Sequence, residues 1–352
     1  MTLPLFKNLI QWSEGQYSDL PWRRERTLYR TLVSEIMLQQ TTVGTVLNHF
    51  ERFLKTYPTI FDLALSTEEE VCIEWKGLGY YRRARSLRNL AIQIVEKYKG
   101  KIPTNLDALL GLKGIGPYTA NAIVAIGADK KALAVDANLE RVLSRYYGVS
   151  LEKGPKLQKK LWHDFENESI LTEINFVSAR ALNESLMDLG RIVCQSRKAS
   201  CVLCPLRLGC VAFQNKKPLD YPLVSLNKKK EDLYIKLLRI IVSKQQKILV
   251  YQKNETQWLS GQWELPTFVL ETNDDKLKQY PGIKFKKKYL ALNSFKSGIT
   301  KYSIENYICH MDLEDFKLQT KGMGIEYSFK VHDKKLNLTS TSMKILKIEA
   351  QY

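Results

Sequence analysis

Residues 109–120, LLGLKGIGPYTA, form the stretch of sequence that decides the architecture. The segments on both sides carry apolar residues at three- or four-residue spacing, which predicts helices flanking a turn. Gly114 and Gly116 allow a tight turn, and their backbone N–H groups at the start of the next helix can hold a phosphate. Taken alone, a GxG between helices also fits an ordinary interhelical turn.

Helical periodicity continues through residues 1–215, whereas the pattern from about residue 233 predicts strands. LYIKLLRIIVSKQQKILVYQK indicates two strands around a turn, and YSIENYICHMDL indicates a third. We therefore predict an all-helical domain over 1–215, a linker over 216–232 and a smaller α/β domain over 233–352. The helical segments are LYRTLVSEIML, VGTVLNHFERFL, ARSLRNLAIQIVEKY, TANAIVAIGA, NLERVLSRYY and ALNESLMDLG.

Composition narrows the classes of function. The chain has 352 residues, of which 44% are hydrophobic, enough to build domain cores and to exclude wholesale disorder. It has no apolar run of the roughly 18 residues that a membrane span needs, and no secretion signal is apparent, so we expect a cytoplasmic protein. The formal charge of +17 favours a nucleic-acid partner, although lysine used as surface filler would give the same count.

Four cysteines give the strongest single signal, because Cys194, Cys201, Cys204 and Cys210 follow a C-x6-C-x2-C-x5-C pattern. In a reducing compartment such a group is expected to hold a metal rather than to form disulfides. The four histidines are scattered, so all four ligands should be thiolates. Spacing alone leaves a structural zinc and a [4Fe–4S] cluster open.

Two carboxylates are candidates for acid–base chemistry. In a helix over residues 28–41, Glu35 falls at the edge of the apolar stripe, where lost hydration raises its pKa and favours a general acid. The alternative is a glutamate that reaches solvent or pairs with Arg24. Asp136 precedes the helix LERVLSRYY, either simply as its N-cap or as a second carboxylate that the helix end keeps ionised. Such a pair suits cleavage of a glycosidic bond.

Five motifs in order resemble the adenine DNA glycosylases, the MutY family of the helix-hairpin-helix glycosylase superfamily. The resemblance is close up to about residue 215 and weaker over 233–352. It implies base excision repair of double-stranded DNA, by hydrolysis of the N-glycosidic bond of adenine opposite 8-oxoguanine or guanine. It also implies a [4Fe–4S] cluster on the four cysteines. The motifs are SEIMLQQT (34–41), GLGYYRRAR (77–85), GIGPYTANAI (114–123), VDANLERVL (135–143) and MDLG before the cysteine loop, 194–210.

The resemblance also implies roles for individual residues. Glu35 would protonate adenine N7, and Asp136 would stabilise the oxocarbenium-like cation with support from Tyr118 and Asn138. Related endonuclease III enzymes carry a lysine in place of Tyr118, and that lysine attacks the sugar to form a Schiff base. Because tyrosine cannot form one, Tyr118 implies a monofunctional glycosylase. The implied contacts to DNA are Trp22, Arg23 and Glu184 in the adenine pocket, and Gln40, Leu78 and Tyr80 at the opposing base.

The segment GLGYY, which supplies Leu78 and Tyr80, would by itself also fit a turn followed by core residues. Residues 233–352 resemble the MutT-like (Nudix-fold) domain of the family, with WLSGQWELP (258–266) similar to its glycine-rich segment. No REx2E cluster follows, so pyrophosphohydrolase activity is not expected. Thr300 would contact 8-oxoguanine, but Lys301 stands where the family usually has histidine.

Three other classes of function remain open. One is an endonuclease III-like lyase acting on oxidised pyrimidines, against which Tyr118 argues. The second is an iron–sulfur DNA-binding or redox-sensing protein that has lost catalysis, against which Glu35 and Asp136 argue. The third is a zinc-bound structural module. For the glycosylase we expect a monomer in the bacterial cytoplasm, associated with the nucleoid and not with a membrane.

Overall fold

The chain folds into two compact units. The first contains Met1–Val71 and Arg82–Leu226, and the second contains Cys72–Tyr81 and Asn227–Tyr352. Residues 72–81 thus lie in the second unit, although the sequence analysis placed them in the first domain. The computed structural model describes residues 3–167, 178–223, 233–283, 293–299, 301–331 and 336–349.

The first unit is helical, and every helical segment predicted from periodicity contains a helix. None of the described helices is long and apolar enough to cross a membrane. The helices are α1 (Leu3–Ser13), α2 (Pro21–Arg24), α3 (Leu28–Leu38), α4 (Val43–Thr56), α5 (Ile60–Leu65), α6 (Glu68–Glu74, which ends in the second unit), α7 (Arg82–Tyr98), α8 (Leu106–Leu110), α9 (Pro117–Ala122), α10 (Ala137–Tyr147), α11 (Pro155–Asn167), α12 (Ala179–Ile192) and α13 (Val211–Gln214).

The glycine-rich turn joins α8 to α9 as predicted. Gly114 has a φ of +105°, a backbone conformation that side-chain-bearing residues rarely adopt. Ile115 is buried and anchors the turn, while the two glycines beside it are exposed. Gly116 is the N-cap of α9 and Pro117 is its first residue, where the missing N–H costs nothing. The peptide edge of the turn is therefore open to a ligand.

Helix α3 ends at Leu38, three residues earlier than the predicted helix over 28–41. The reason is Arg83 of α7, whose guanidinium donates to the carbonyls of Ile36 (2.9 Å) and Met37 (2.7 Å). These acceptors belong to the last turn of the helix, where carbonyls lack intrahelical partners. Gln40 then turns away with a φ of +54°.

Helices α10 and α12 pack closely because Gly190 has no side chain. A Cβ atom at Gly190 would lie 2.7 Å from the Cβ atom of Asn138, closer than two such atoms can approach. The surrounding core is apolar, with leucines of α10, α11 and α12 fully buried. This contact fixes the start of α10, which carries Asp136, against one face of α12.

The second unit is an α/β structure, as predicted. One sheet has the order β5-β1-β7-β6 with β1 and β7 parallel, and β3 of the other sheet pairs with β2, β4 and β8. The two strands predicted around a turn are β1 and β3, and the third is β7. The elements are β1 (Leu233–Ile241), β2 (Ser243–Lys244), β3 (Lys247–Gln252), β4 (Trp263–Glu264), β5 (Thr267–Thr272), β6 (Ser294–Ile299), β7 (Tyr302–His310), α14 (Leu313–Gln319), β8 (Ser328–Val331) and α15 (Ser340–Glu349).

The WLSGQWELP segment contributes one residue, Glu264, to a buried cluster of charged side chains. Glu264 accepts from Arg239 (2.7 Å) and from Lys253 (2.5 Å), and all three side chains are buried. The two cations hold the pKa of Glu264 below its ordinary value despite the burial. The cluster ties β1, β3 and β4 together inside the second unit.

Replacement of Gly190 by alanine should destabilise the chain by about 1–3 kcal/mol, the usual cost of forcing atoms into a packed core. The new methyl group meets Asn138 and opposes the close approach of α10 to α12. Urea denaturation measures the effect. The matched control is Gly44→Ala in α4, where a Cβ atom meets nothing within 4 Å and no stability should be lost. Equal behaviour of the two variants would show that the α10–α12 contact tolerates a side chain.

Candidate active site

One cleft in the first unit brings together predicted residues from distant parts of the chain. It lies between α2, α3, α9, the start of α10 and one face of α12. Its lining includes eight of the residues singled out in the sequence: Trp22, Arg23, Glu35, Gln40, Tyr118, Asp136, Asn138 and Glu184.

Glu35 is the most perturbed acid of this cleft. Its side chain is only 5% exposed, and the hydroxyl of Tyr118 donates to its Oε2 at 2.5 Å. Burial raises the pKa of Glu35 to about 7, and the charges of Asp136 and Glu184 add to that rise. The alternative partner Arg24 is bound to Asp19 instead. The helical wheel therefore located a carboxyl group that can hold a proton near neutral pH.

Asp136 is both an N-cap and a cleft residue. Its Oδ1 accepts from the backbone N–H groups of Asn138 (2.9 Å) and Leu139 (2.8 Å), and its Oδ2 accepts from the Asn138 amide (2.8 Å). Burial raises the pKa of Asp136, while these hydrogen bonds and Arg141 oppose that rise. The helix end thus counteracts the burial of this carboxylate without fully offsetting it.

Arg141 fixes the amide of Asn138 and was not found by sequence reasoning. Its Nη2 donates to Asn138 Oδ1 (2.9 Å) and to the carbonyl of Gly190 (2.7 Å), and its Nε donates to the carbonyl of Cys194 (2.7 Å). An arginine three residues after Asn138 on the same helix was the available signal. Through Arg141 the aspartate is oriented by the first residue of the cysteine loop.

The arginines at the entrance are matched by acids on α12. Arg23 forms a bidentate pair with Asp188 (2.9 Å for both bonds), and Arg26 forms one with Glu184 (2.6 and 2.9 Å). Asp188 and Arg26 were missed by the sequence analysis, although Glu184 and Asp188 have the i,i+4 spacing of one helix face. Trp22 packs edge-on against Phe50, at a centroid distance of 5.3 Å. The wall on this side is therefore preorganised.

The other predicted DNA contacts do not line the cleft. Leu78 and Tyr80 belong to the segment 72–81 of the second unit; Leu78 is 4% exposed, and Tyr80 is 56% exposed with a φ of +47°. The burial of Leu78 agrees with the alternative interpretation of GLGYY as a turn followed by core residues. Gly114 and Gly116 lie in the exposed hairpin described above. Thr300 lies outside the described residues.

The four cysteines line a second cavity, again within the first unit. Arg145 also lines this cavity, and its Nη1 lies 3.2 Å from Cys194 Sγ. Across the described ranges, no group of three or more His, Cys, Asp or Glu side chains is arranged closely enough to hold a metal ion. The fold therefore brings the four predicted cysteines to one cavity.

Comparison with known proteins gives a consistent result. Residues 33–167 match the HhH-GPD superfamily of base excision DNA repair proteins. The chain is 32% identical to an adenine DNA glycosylase of Buchnera aphidicola subsp. Schizaphis graminum, over 99% of each chain. It is 36% identical to human adenine DNA glycosylase over 59% of this chain and 39% of the human one. The structure of a thermostable thymine-DNA glycosylase matches with a TM-score of 0.54 and 32% identity, over 60% of this chain and 95% of the other.

A helical unit with this glycine hairpin, together with the superfamily match over 33–167, defines a DNA glycosylase of base excision repair. Because the identity to one relative extends over 99% of both chains, the chain belongs to the adenine DNA glycosylase family. The resemblance read from the sequence is confirmed.

The raised pKa of Glu35 predicts a pH-dependent cost to stability. The ordinary value of 4.5 rises to about 7 in the fold, so burial favours the protonated form. The burial of Glu35 therefore costs no stability below pH 4.5. As the pH rises through 7, it lowers the free energy of unfolding by about 3 kcal/mol, at about 1.4 kcal/mol per pKa unit. Glu35→Gln should remove this loss, so its advantage in urea denaturation should grow between pH 5 and pH 8. The control Glu51→Gln, at a side chain that is 56% exposed, should show no such trend.

Proposed function

We propose that this chain removes adenine mispaired with 8-oxoguanine or guanine, as a monofunctional glycosylase. The observation that carries the proposal is the pairing of Glu35, with a pKa near 7, and Asp136 in one cleft. Two carboxyl groups with different proton affinities are what hydrolysis of a glycosidic bond requires. Adenine would have to leave the base stack to reach them, at a cost of a few kcal/mol.

Glu35 acts as the general acid in this proposal. A carboxyl group with a pKa of about 7 keeps a large protonated fraction at neutral pH, and it can transfer that proton to adenine N7. Protonation turns the base into a better leaving group. The hydroxyl of Tyr118 donates to Glu35 Oε2 and so holds this carboxyl group in one orientation.

Asp136 stabilises the sugar as the C1′–N9 bond breaks. Positive charge then develops on the deoxyribose, and an ionised carboxylate nearby lowers the energy of that state. Asn138 and the start of α10 hold both carboxylate oxygens, so little reorganisation is needed. Water then attacks C1′. Tyr118 cannot form a Schiff base as a lysine would, so the product is an intact strand with an abasic site.

Gln40 and Tyr80 contact the opposing base in this proposal. Gln40 and Tyr80 are exposed, and both have positive φ values, a strained state that is common at binding sites. We assign recognition of 8-oxoguanine to the second unit, as a MutT-like domain in which Thr300 contacts the lesion. Gly114 and Gly116 would bind a backbone phosphate through the exposed hairpin.

We further propose that Cys194, Cys201, Cys204 and Cys210 hold a [4Fe–4S] cluster. Two observations support this assignment: all four cysteines line one cavity, and the C-x6-C-x2-C-x5-C spacing resembles that of cluster-bearing glycosylases of this family. The guanidinium of Arg145 offsets part of the thiolate charge there. The cluster would order the loop after α12 and contribute no step of the reaction. We expect the protein to act as a monomer in the cytoplasm.

Glu35→Gln should lower single-turnover release of adenine from A:8-oxoG and A:G duplexes by at least about 10²-fold, because glutamine has no proton to deliver. The wild-type rate should fall as the pH rises through about 7, and the variant should lack that decline. Strand breaks should appear only after alkali treatment.

The control for this experiment is Glu51→Gln, which alters an exposed carboxyl of α4 and should keep the wild-type rate. Near-normal release by Glu35→Gln would contradict the role of Glu35. Strand breaks without alkali, or cleavage of oxidised pyrimidines in place of adenine, would favour the lyase function instead.

The purified protein should contain about four irons and about four sulfides, the composition of a [4Fe–4S] cluster. Cys201→Ala should reduce both contents, because one of four ligands is lost. Cys309→Ala removes a buried cysteine of the second unit and should leave them unchanged. Stoichiometric zinc in protein made with iron in excess would contradict the cluster.

A further inference from the structure

Arg191 is a cation at the cleft that the proposed mechanism leaves unused. It lies in the last turn of α12, lines the cleft and is exposed. Its guanidinium carbon lies 4.1 Å from the centre of the Tyr17 ring. Among the side chains that the structure describes, no carboxylate forms an ion pair with Arg191.

The charges of the other two arginines on this side of the cleft are compensated by acids. Arg23 is neutralised by Asp188 and Arg26 by Glu184, each through two hydrogen bonds. Glu184, Asp188 and Arg191 follow one another at i,i+4 and i,i+3 spacing, so they share a face of α12. That face therefore ends in an uncompensated positive charge at the cleft.

Tyr17 holds this charge in place. The residue has a φ of +52°, in the left-handed region that a bulky side chain rarely occupies. Its carbonyl accepts from the N–H of Leu20 (3.1 Å), and the neighbouring carbonyl of Gln16 accepts from Arg23 Nη1 (3.1 Å). The ring is thus fixed to the cleft wall. A guanidinium lying on a fixed ring loses less entropy on binding and keeps its N–H edge available.

We propose that Arg191, positioned by Tyr17, binds a phosphodiester of the DNA at the mouth of the cleft. A guanidinium edge matches the geometry of two phosphate oxygens. A base edge is a poorer match for Arg191, because the exposed side chain lies at the rim and not in the buried part of the cleft. The inference rests on the proposed function only in that DNA enters this cleft, and it does not depend on which base opposes adenine.

The test is a salt titration of DNA binding by the full chain. The probe is a duplex whose target deoxyadenosine carries a 2′-fluorine, so that the glycosidic bond resists cleavage. Arg191→Gln should lower the slope of log affinity against log salt by about 0.9, the contribution of one duplex phosphate. Arg191→Lys should keep the slope. Tyr17→Leu should also keep the slope but weaken binding by about twofold to fivefold, the value of an exposed cation–π contact.

Lys55→Gln is the matched control, because it removes one exposed positive charge at the end of α4, outside the cleft. Its slope should equal that of the wild type. An unchanged slope for Arg191→Gln, in protein with an unchanged melting temperature, would overturn the proposal. A second result would also overturn it: Arg191→Gln releases the base more slowly at saturating enzyme, while its salt slope is unchanged. That result would place Arg191 on the base. A failure of the proposed function is distinguishable, because it alters the choice between A:8-oxoG and A:G and leaves these slopes as expected.

Discussion

The proposed chemistry of this protein depends on one physical constraint, which is that the carboxyl group of Glu35 is kept away from water. An isolated buried carboxylate would be costly, and the fold limits that cost by letting Glu35 keep its proton and accept from Tyr118. The first unit is arranged around this constraint: Arg83 terminates α3 just beyond Glu35, and the glycine hairpin starts the helix that carries Tyr118. In the proposed reaction, the burial that raises the pKa of Glu35 supplies the proton, and the same burial lowers the stability of the folded state at neutral pH.

At the second carboxylate, hydrogen bonds from a helix start oppose burial without fully offsetting it. Asp136 is buried as well, but it receives two backbone N–H groups at the start of α10 and the amide of Asn138. Hydrogen bonds to the charged form lower a pKa, so the helix end opposes what burial does. The close contact at Gly190 sets the distance between α10 and α12, and Arg141 joins that contact to the cysteine loop. The cysteine loop therefore helps to orient Asp136 through Arg141 and Asn138.

The arginines of this cleft fall into two groups: those paired with acids hold the wall together, and the unpaired one is proposed to bind DNA. Arg23 and Arg26 are held by acids on α12 and form a rigid wall. Arg191 lies on an aromatic ring instead and keeps its charge available. A thymine-DNA glycosylase has a similar helical fold at 32% identity, so the fold alone does not identify the base that is removed.

The sequence by itself determined the division into a helical part and an α/β part, because periodicities of 3.6 and 2 are local properties of the chain. It also located Glu35 on the apolar stripe, Asp136 at a helix start and the cysteine group, since each follows from short-range spacing. Only the tertiary structure decided which of these residues meet. The partners Asp188 and Arg26, the contact of Arg141 with Gly190, the early end of α3 and the placement of residues 72–81 in the second unit all arise from contacts between distant segments. Such contacts depend on how helices pack in three dimensions, and no local pattern in the chain encodes that packing.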